Sequence, residues 1–153
     1  LESVILWCEG EAILGPRDLF TPKTDAGLLV LRIATGLSLF FLFGLPKVKD
    51  ASGYLHSGVW PFVDFNRKVG LPLPVVVAFL QTLNESLGAL LVVCGFFAQW
   101  ASLSLTLGFA VATACSLKLG EASWFLAAYY TIIFATLTLT GPGRYSLDGL
   151  KKS

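Results

Sequence analysis

PVVVAFLQTLNESLGALLVVCGFFA, residues 74–98, is an apolar run holding a single charge, and it settles the class of structure to which this chain belongs. At about 1.5 Å per residue it reaches roughly 37 Å, more than the ~30 Å hydrocarbon core of a bilayer. A regular helix places Gln81, Asn84, Glu85 and Gly88 (i, i+3, i+4, i+7) on one face, with Val, Leu and Phe on the others. A carboxylate at this depth costs of order a few kcal/mol even on lenient insertion scales. Glu85 is therefore expected to face protein or trapped water, and it is the leading candidate for a site.

The rest of the composition agrees. The chain has 153 residues, 55% of them hydrophobic, and a mean hydropathy of +0.73, which excludes an ordinary soluble domain. A net charge of +1 gives no electrostatic footprint for nucleic acid. Cys8, Cys94 and Cys115 are widely spaced without a C-x-x-C, and two lie in apolar runs, where a thiol acts as a small hydrophobe. No intrachain disulfide is expected, because Cys94 and Cys115 fall toward opposite ends of neighbouring spans. The chain contains no Met, so residue 1 is not an initiator and some N-terminal sequence is expected to be missing. Its opening LESVILW is too short and acidic for a signal-peptide core.

Residues 1–25 hold five of the ten acidic groups, with Pro16 and Pro22 as helix interrupters, and read as an extramembrane arm. Val4 to Trp7 can anchor at the headgroups or dock on a partner, or belong to a loose terminus. Thr24 or Asp25 is expected to cap a first span over 26–45, ended by Pro46. Within it Arg32, about 9 Å from the helix start, either snorkels or turns inward toward a carboxylate. The segment up to Leu73 is too long for a plain turn and carries Lys47, Lys49, Arg67 and Lys68. Its Tyr54, Trp60, Phe62 and Phe65 suit the membrane interface, and Pro61 can start an in-plane helix through Lys68. The only histidine, His56, reads as a solvated loop residue.

Beyond Gly95 a short break precedes a third span over 100–117, whose Ser104, Gly108, Ala112 and Ser116 form a small-residue stripe for close helix contact. A fourth span covers 124–140, with threonines able to bond back to their own helix carbonyls. The prediction is an all-α integral-membrane four-helix bundle, with spans about 26–45, 74–98, 100–117 and 124–140, an interfacial segment between the first two, and a short tail at 149–153. No P-loop, Rossmann glycine pattern, metal-ligand cluster or nucleophile elbow is present.

In this order and spacing, the residues resemble the DoxX family of small four-span membrane proteins. The resemblance covers about 27–148. It rests on Arg32, Gly36, Gly44 and Lys47 around the first span, Gly-Leu-Pro at 70–72, Glu85 with Gly88 and Gly95, and above all GPGRYSLD (Gly141, Pro142, Gly143, Arg144, Tyr145, Ser146, Leu147, Asp148) after the last. Gln99 departs from the basic residue often found there, and residues 1–25 have no counterpart in the family. The resemblance implies a bundle in a bacterial-type cytoplasmic membrane with both termini cytoplasmic. Some relatives are subunits of quinone-linked sulfur or terminal oxidase systems, others parts of thiol and oxidative-stress complexes.

Three functions compete. The chain is an accessory subunit packed against other membrane subunits of a respiratory or photosynthetic complex; or it is a quinone-associated oxidoreductase subunit with Glu85, Asn84 and Gln81 at the site; or, least favoured, a carrier, for which no repeat or broken helix is evident. No cofactor is bound by a motif of its own; a quinone or a lipid at a shared interface is the class left open, as is whether the chain is an enzyme. Lys and Arg outside the spans count five on either side, so charge does not orient the chain. Glu85 is expected to pair with Arg32 across a depth offset of roughly 10 Å, with Asn84 or Gln81 nearby.

Overall fold

The computed structural model describes residues 16–150. It consists of α1 (Pro16–Leu39), α2 (Leu45–Ser57), α3 (Pro61–Val69), α4 (Pro74–Leu83), α5 (Ala89–Cys94), α6 (Ala98–Leu119), α7 (Trp124–Thr140) and α8 (Leu147–Leu150), with π turns at Phe40–Gly44 and Asn84–Gly88. Among the described residues there is no strand. Four rods make the bundle: α1 joined to α2 through the first π turn, α4 joined to α5 through the second, α6, and α7. Lys23–Ser57, Pro74–Cys94 and Ala98–Leu119 are long and apolar enough to cross a membrane, and Trp124–Thr140 is a shorter apolar helix. Residues 1–15 of the expected arm, with Cys8, and residues 151–153 of the expected tail lie outside the described residues.

The distribution of polarity is that of a protein in lipid. Val30, Leu42, Leu80, Leu107, Ile132 and Leu139 point outward, while Arg32, Thr35, Glu85, Ser86 and Ser102 are buried. Water would penalise those outward side chains by about 25 cal/mol per Å², whereas acyl chains do not. The core joins Leu39, Val92, Leu105 and Leu137 to an aromatic stack of Phe109, Tyr130 and Phe134. On α7, Thr131, Thr136, Thr138 and Thr140 each bond to the carbonyl four residues back, so they satisfy themselves within the helix.

The first rod departs from the sequence expectation at both ends. It begins at Pro16, a favourable first position, and runs past Pro22 instead of being capped by Thr24 or Asp25. Nor does Pro46 end it. A proline lacks the N–H and crowds the carbonyl four residues back. Here the ladder widens just before it: the N–H of Leu45 bonds to the carbonyl of Phe40, five residues away, and Pro46 enters at the start of α2, where no donor is required. Gly44 lets this turn lie against the second rod, since a Cβ there would stand 3.0 Å from the Glu85 carbonyl oxygen and 3.1 Å from Ser86 Cα.

Helix α3 forms where Pro61 predicts it and buries Val63, Asn66 and Val69. Trp60, expected at the membrane interface, is instead 1% exposed, with its ring 5.0 Å from Phe79 and 5.9 Å from Tyr54. The continuation of the first rod to Ser57 supplies the wall that encloses it, so α2, α3 and α4 share a second small core. Lys118 of α6 donates to the Val69 carbonyl at 2.9 Å and ties the end of α3 to the bundle.

Residues 141–149 fold back over one end of the bundle. The Asp148 carboxylate accepts the N–H groups of Phe97 (3.1 Å) and Ala98 (3.0 Å) at the start of α6, and the Asp148 N–H donates to the Gly95 carbonyl at 3.0 Å. Asp25 accepts the Arg144 N–H at 3.2 Å. Ser146 braces the loop, donating to the Gly143 carbonyl and accepting from Gly149. GPGRYSLD thus fastens α1, the α5–α6 turn and α7 together.

Candidate functional site

The two π turns meet in the middle of the bundle, and each positions one charge. Glu85, within the second, is 2% exposed. Lys47, just beyond the first, places its Nζ 2.7 Å from Glu85 Oε1 and 2.6 Å from Oε2. Gln81, one turn earlier, donates to Oε1 at 3.0 Å. Three donors on one carboxylate supply the pairing and hydrogen bonding that a buried charge requires. The ammonium also lies 4.1 Å from the centroid of the Phe62 ring of α3, within cation–π range.

The partner of Glu85 is thus Lys47 and not Arg32. Sequence reasoning placed Lys47 outside the span because Pro46 was expected to end the helix; with the rod unbroken, Lys47 stays on the bundle wall. Arg32 is held elsewhere. It is 1% exposed, donates from Nη2 to the Tyr145 carbonyl, and packs beside Gly95 and Ser146 within electrostatic reach of Asp148. Its Nε and Nη1 find no partner among the described residues. Arg32 belongs with the folded-back segment.

The four residues expected on one face lie together, Gln81 bonded to Glu85 and Gln81, Asn84 and Gly88 all close to α6. Asn84 turns to α6, donating to the Ser104 carbonyl at 3.1 Å and accepting from the Ser104 hydroxyl at 2.9 Å, while Gln81 and Glu85 turn to Lys47. The small-residue stripe receives them: a Cβ on Gly108 would lie 2.7 Å from Gln81 Oε1 and 3.0 Å from Asn84 Nδ2. Gly108→Ala is expected to displace the Gln81 amide from Glu85 at about 1–3 kcal/mol, read as a lowered melting temperature in detergent. An unchanged melt would mean that the amide moves aside freely.

A cleft of about 390 Å³ opens beside the pair. Phe43, Phe62, Phe109 and Tyr130 give it aromatic walls, and Asp50 and Glu121 also line it. Glu85 accepts two of the three N–H groups of Lys47, which leaves one for a ligand oxygen. The described residues contain no group of three His, Cys, Asp or Glu able to hold a metal. His56 is exposed; Cys94 and Cys115 are free thiols, the second buried.

Apolar rods enclosing an ion pair and a cleft define an integral membrane protein of the helical-bundle class. The chain belongs to the DoxX family, whose profile matches residues 27–118. It is 30% identical over 131 residues to the inner membrane protein YphA of Escherichia coli (strain K12), an alignment spanning 79% of this chain and 87% of that protein. No solved structure gives a significant match. The profile match takes in Arg32, Lys47, Gln81, Asn84 and Glu85, and it stops short of GPGRYSLD at 141–148.

Proposed function

We propose that the protein is an accessory membrane subunit of an electron-transfer complex, respiratory or photosynthetic, in which the Lys47–Glu85 cleft holds the head of a quinone. One observation carries this reading: an ion pair stands in the wall of a cleft whose lining is mainly aromatic and aliphatic, the other polar groups being Asp50, Glu121, Ser116 and Ser123. A few polar groups in an apolar concavity suit a molecule that is apolar with a carbonyl at one end. The free N–H of Lys47 donates to that carbonyl, Phe43, Phe109 and Tyr130 offer aromatic walls against which a flat ring packs, and Glu85 holds Lys47 in place and can exchange a proton with the head through it. These residues bind, orient and protonate; the electrons come from a neighbouring subunit, as in a sulfur or thiol oxidoreductase. The inner membrane named for the relative is the placement that goes with this reading, and within it we place both termini on the cytoplasmic side.

Purification in mild detergent, followed by quinone extraction and identification of co-purifying chains, tests it. The parent protein is expected to carry quinone and at least one membrane partner. Glu85→Gln keeps the side-chain shape, so normal assembly with lost quinone turnover is expected. A quinone-free protein without partners overturns the proposal, and so does a Glu85→Gln variant with parental turnover.

A further inference from the structure

Beside the head cleft lies a second one, of about 270 Å³, between α3, α4 and α6. The two share Phe62, Phe65 and Ala112 as walls. Otherwise they differ in chemistry. The second is lined by Leu71, Val77, Leu107 and Val111, with Cys115 among them. Its amides are already engaged inside the protein: Gln81 donates to Glu85, and Asn66 donates to the Pro74 carbonyl at 3.2 Å. It offers an occupant little beyond apolar contact, and Gly108 and Ala112 leave room for it. Its α6 rim faces outward, with Leu107 61% and Val111 52% exposed, so a chain lying in it can continue into the bilayer.

We infer that the second cleft is the subsite for the apolar tail of the molecule whose head sits at Lys47, an isoprenoid or alkyl chain passing the Phe62–Phe65 pair. The inference rests on the head-site reading above. Adjacency across the shared walls is what commits the cleft to this occupant: a head beside Lys47 has this apolar space next to it, on the far side of Phe62. The stacked rings of Phe62 and Phe65, 6.3 Å apart, form the divide between head and tail.

Two probes test it on the full-length protein in nanodiscs. The first is a pair of benzoquinones, one without a tail and one with two isoprene units, titrated against the parent and against Val111→Trp, whose larger ring fills the rim where lipid tolerates it. The tailed quinone is expected to lose about tenfold in affinity in the variant, while the tail-less one binds as to the parent. Equal binding of both quinones to parent and variant overturns the tail subsite and leaves the head site standing. No binding of either to the parent overturns the head site, and the tail subsite with it. The second probe needs no altered packing: a benzoquinone with every ring carbon substituted, so that the ring offers a thiol no open position, carries a short alkyl chain ended by a maleimide, across whose C=C bond a thiol adds, forming an S–C bond while its proton passes to the neighbouring carbon. In a Cys8→Ser background, labelling is expected at Cys115, which lines the second cleft, in preference to the exposed Cys94. Preferential labelling of Cys94 overturns the inference, and so does equal labelling of Cys115 by an alkyl maleimide without the quinone head, which would make the cleft a general acyl-chain site.

Discussion

Replacing Lys47 with Met is expected to destabilise the bundle by about 3–5 kcal/mol, the usual cost of leaving one member of a buried ion pair without the other. The geometry explains why the loss should be large. Glu85 is 2% exposed and draws two of its three hydrogen bonds from Lys47. Without them the buried carboxylate keeps only the Gln81 amide. The double variant Lys47→Met with Glu85→Gln is expected to recover much of the loss, because a neutral amide needs less compensation. Melting temperatures of the parent, both single variants and the double variant in one detergent give the coupling directly. Additive effects would show that the two side chains do not depend on one another.

Gly95→Ala is expected to cost a comparable amount at the end of the bundle where residues 141–149 fold back. Gly95 has φ +70°, a left-handed conformation that costs an L-residue about 1–2 kcal/mol. A Cβ there would also stand 2.5 Å from Arg32 Nη1 and 2.6 Å from Ser146 Cβ, and such overpacking adds about 1–3 kcal/mol. Gly120 is the control, having φ +67° and nothing within 4 Å of its would-be Cβ. Gly120→Ala should therefore show the backbone cost alone, and the difference between the two melts measures how tightly the folded-back segment seats on Arg32. Equal melts would mean that the seat is loose.

The rods were legible because uninterrupted apolar runs of membrane length leave few alternatives, and Glu85 was legible because a charge at that depth demands a partner. Gln81 followed from helical spacing and does bond to Glu85. The partner's identity was not legible. Lys47 stood out only through the family resemblance, since a proline directly before it normally marks a helix end. Whether it does depends on the width of the preceding turn, and Phe-Phe-Leu-Phe-Gly at 40–44 carries no signature of a π turn. Arg32 was misassigned for a different reason. Its partner is the backbone carbonyl of Tyr145, 113 positions away in sequence, and carbonyls are identical at every residue, so no pattern of side chains points to one. Trp60 shows the limit of composition: the same ring suits a headgroup layer or a small core, and only the unforeseen length of the first rod decides between them.

The pair of π turns also determines where this protein can lose a residue. A π turn holds one more residue than an α turn, so each acts as an insertion that the helix has absorbed without breaking. Removing one residue from the second, Ser86 for example, would let the rod run on as plain α-helix with every later side chain close to its present bearing. Removing Leu90, in the plain helix beyond it, has no such slack: Val93 would inherit the place of Val92, which is fully buried, and a one-residue step is a turn of about 100° around the axis. Gly95 would leave its place above Arg32, and the α6 N–H groups would swing away from Asp148. These two turns, deep inside what looks like uninterrupted helix, are thus where the screw can give up a residue and keep its phase.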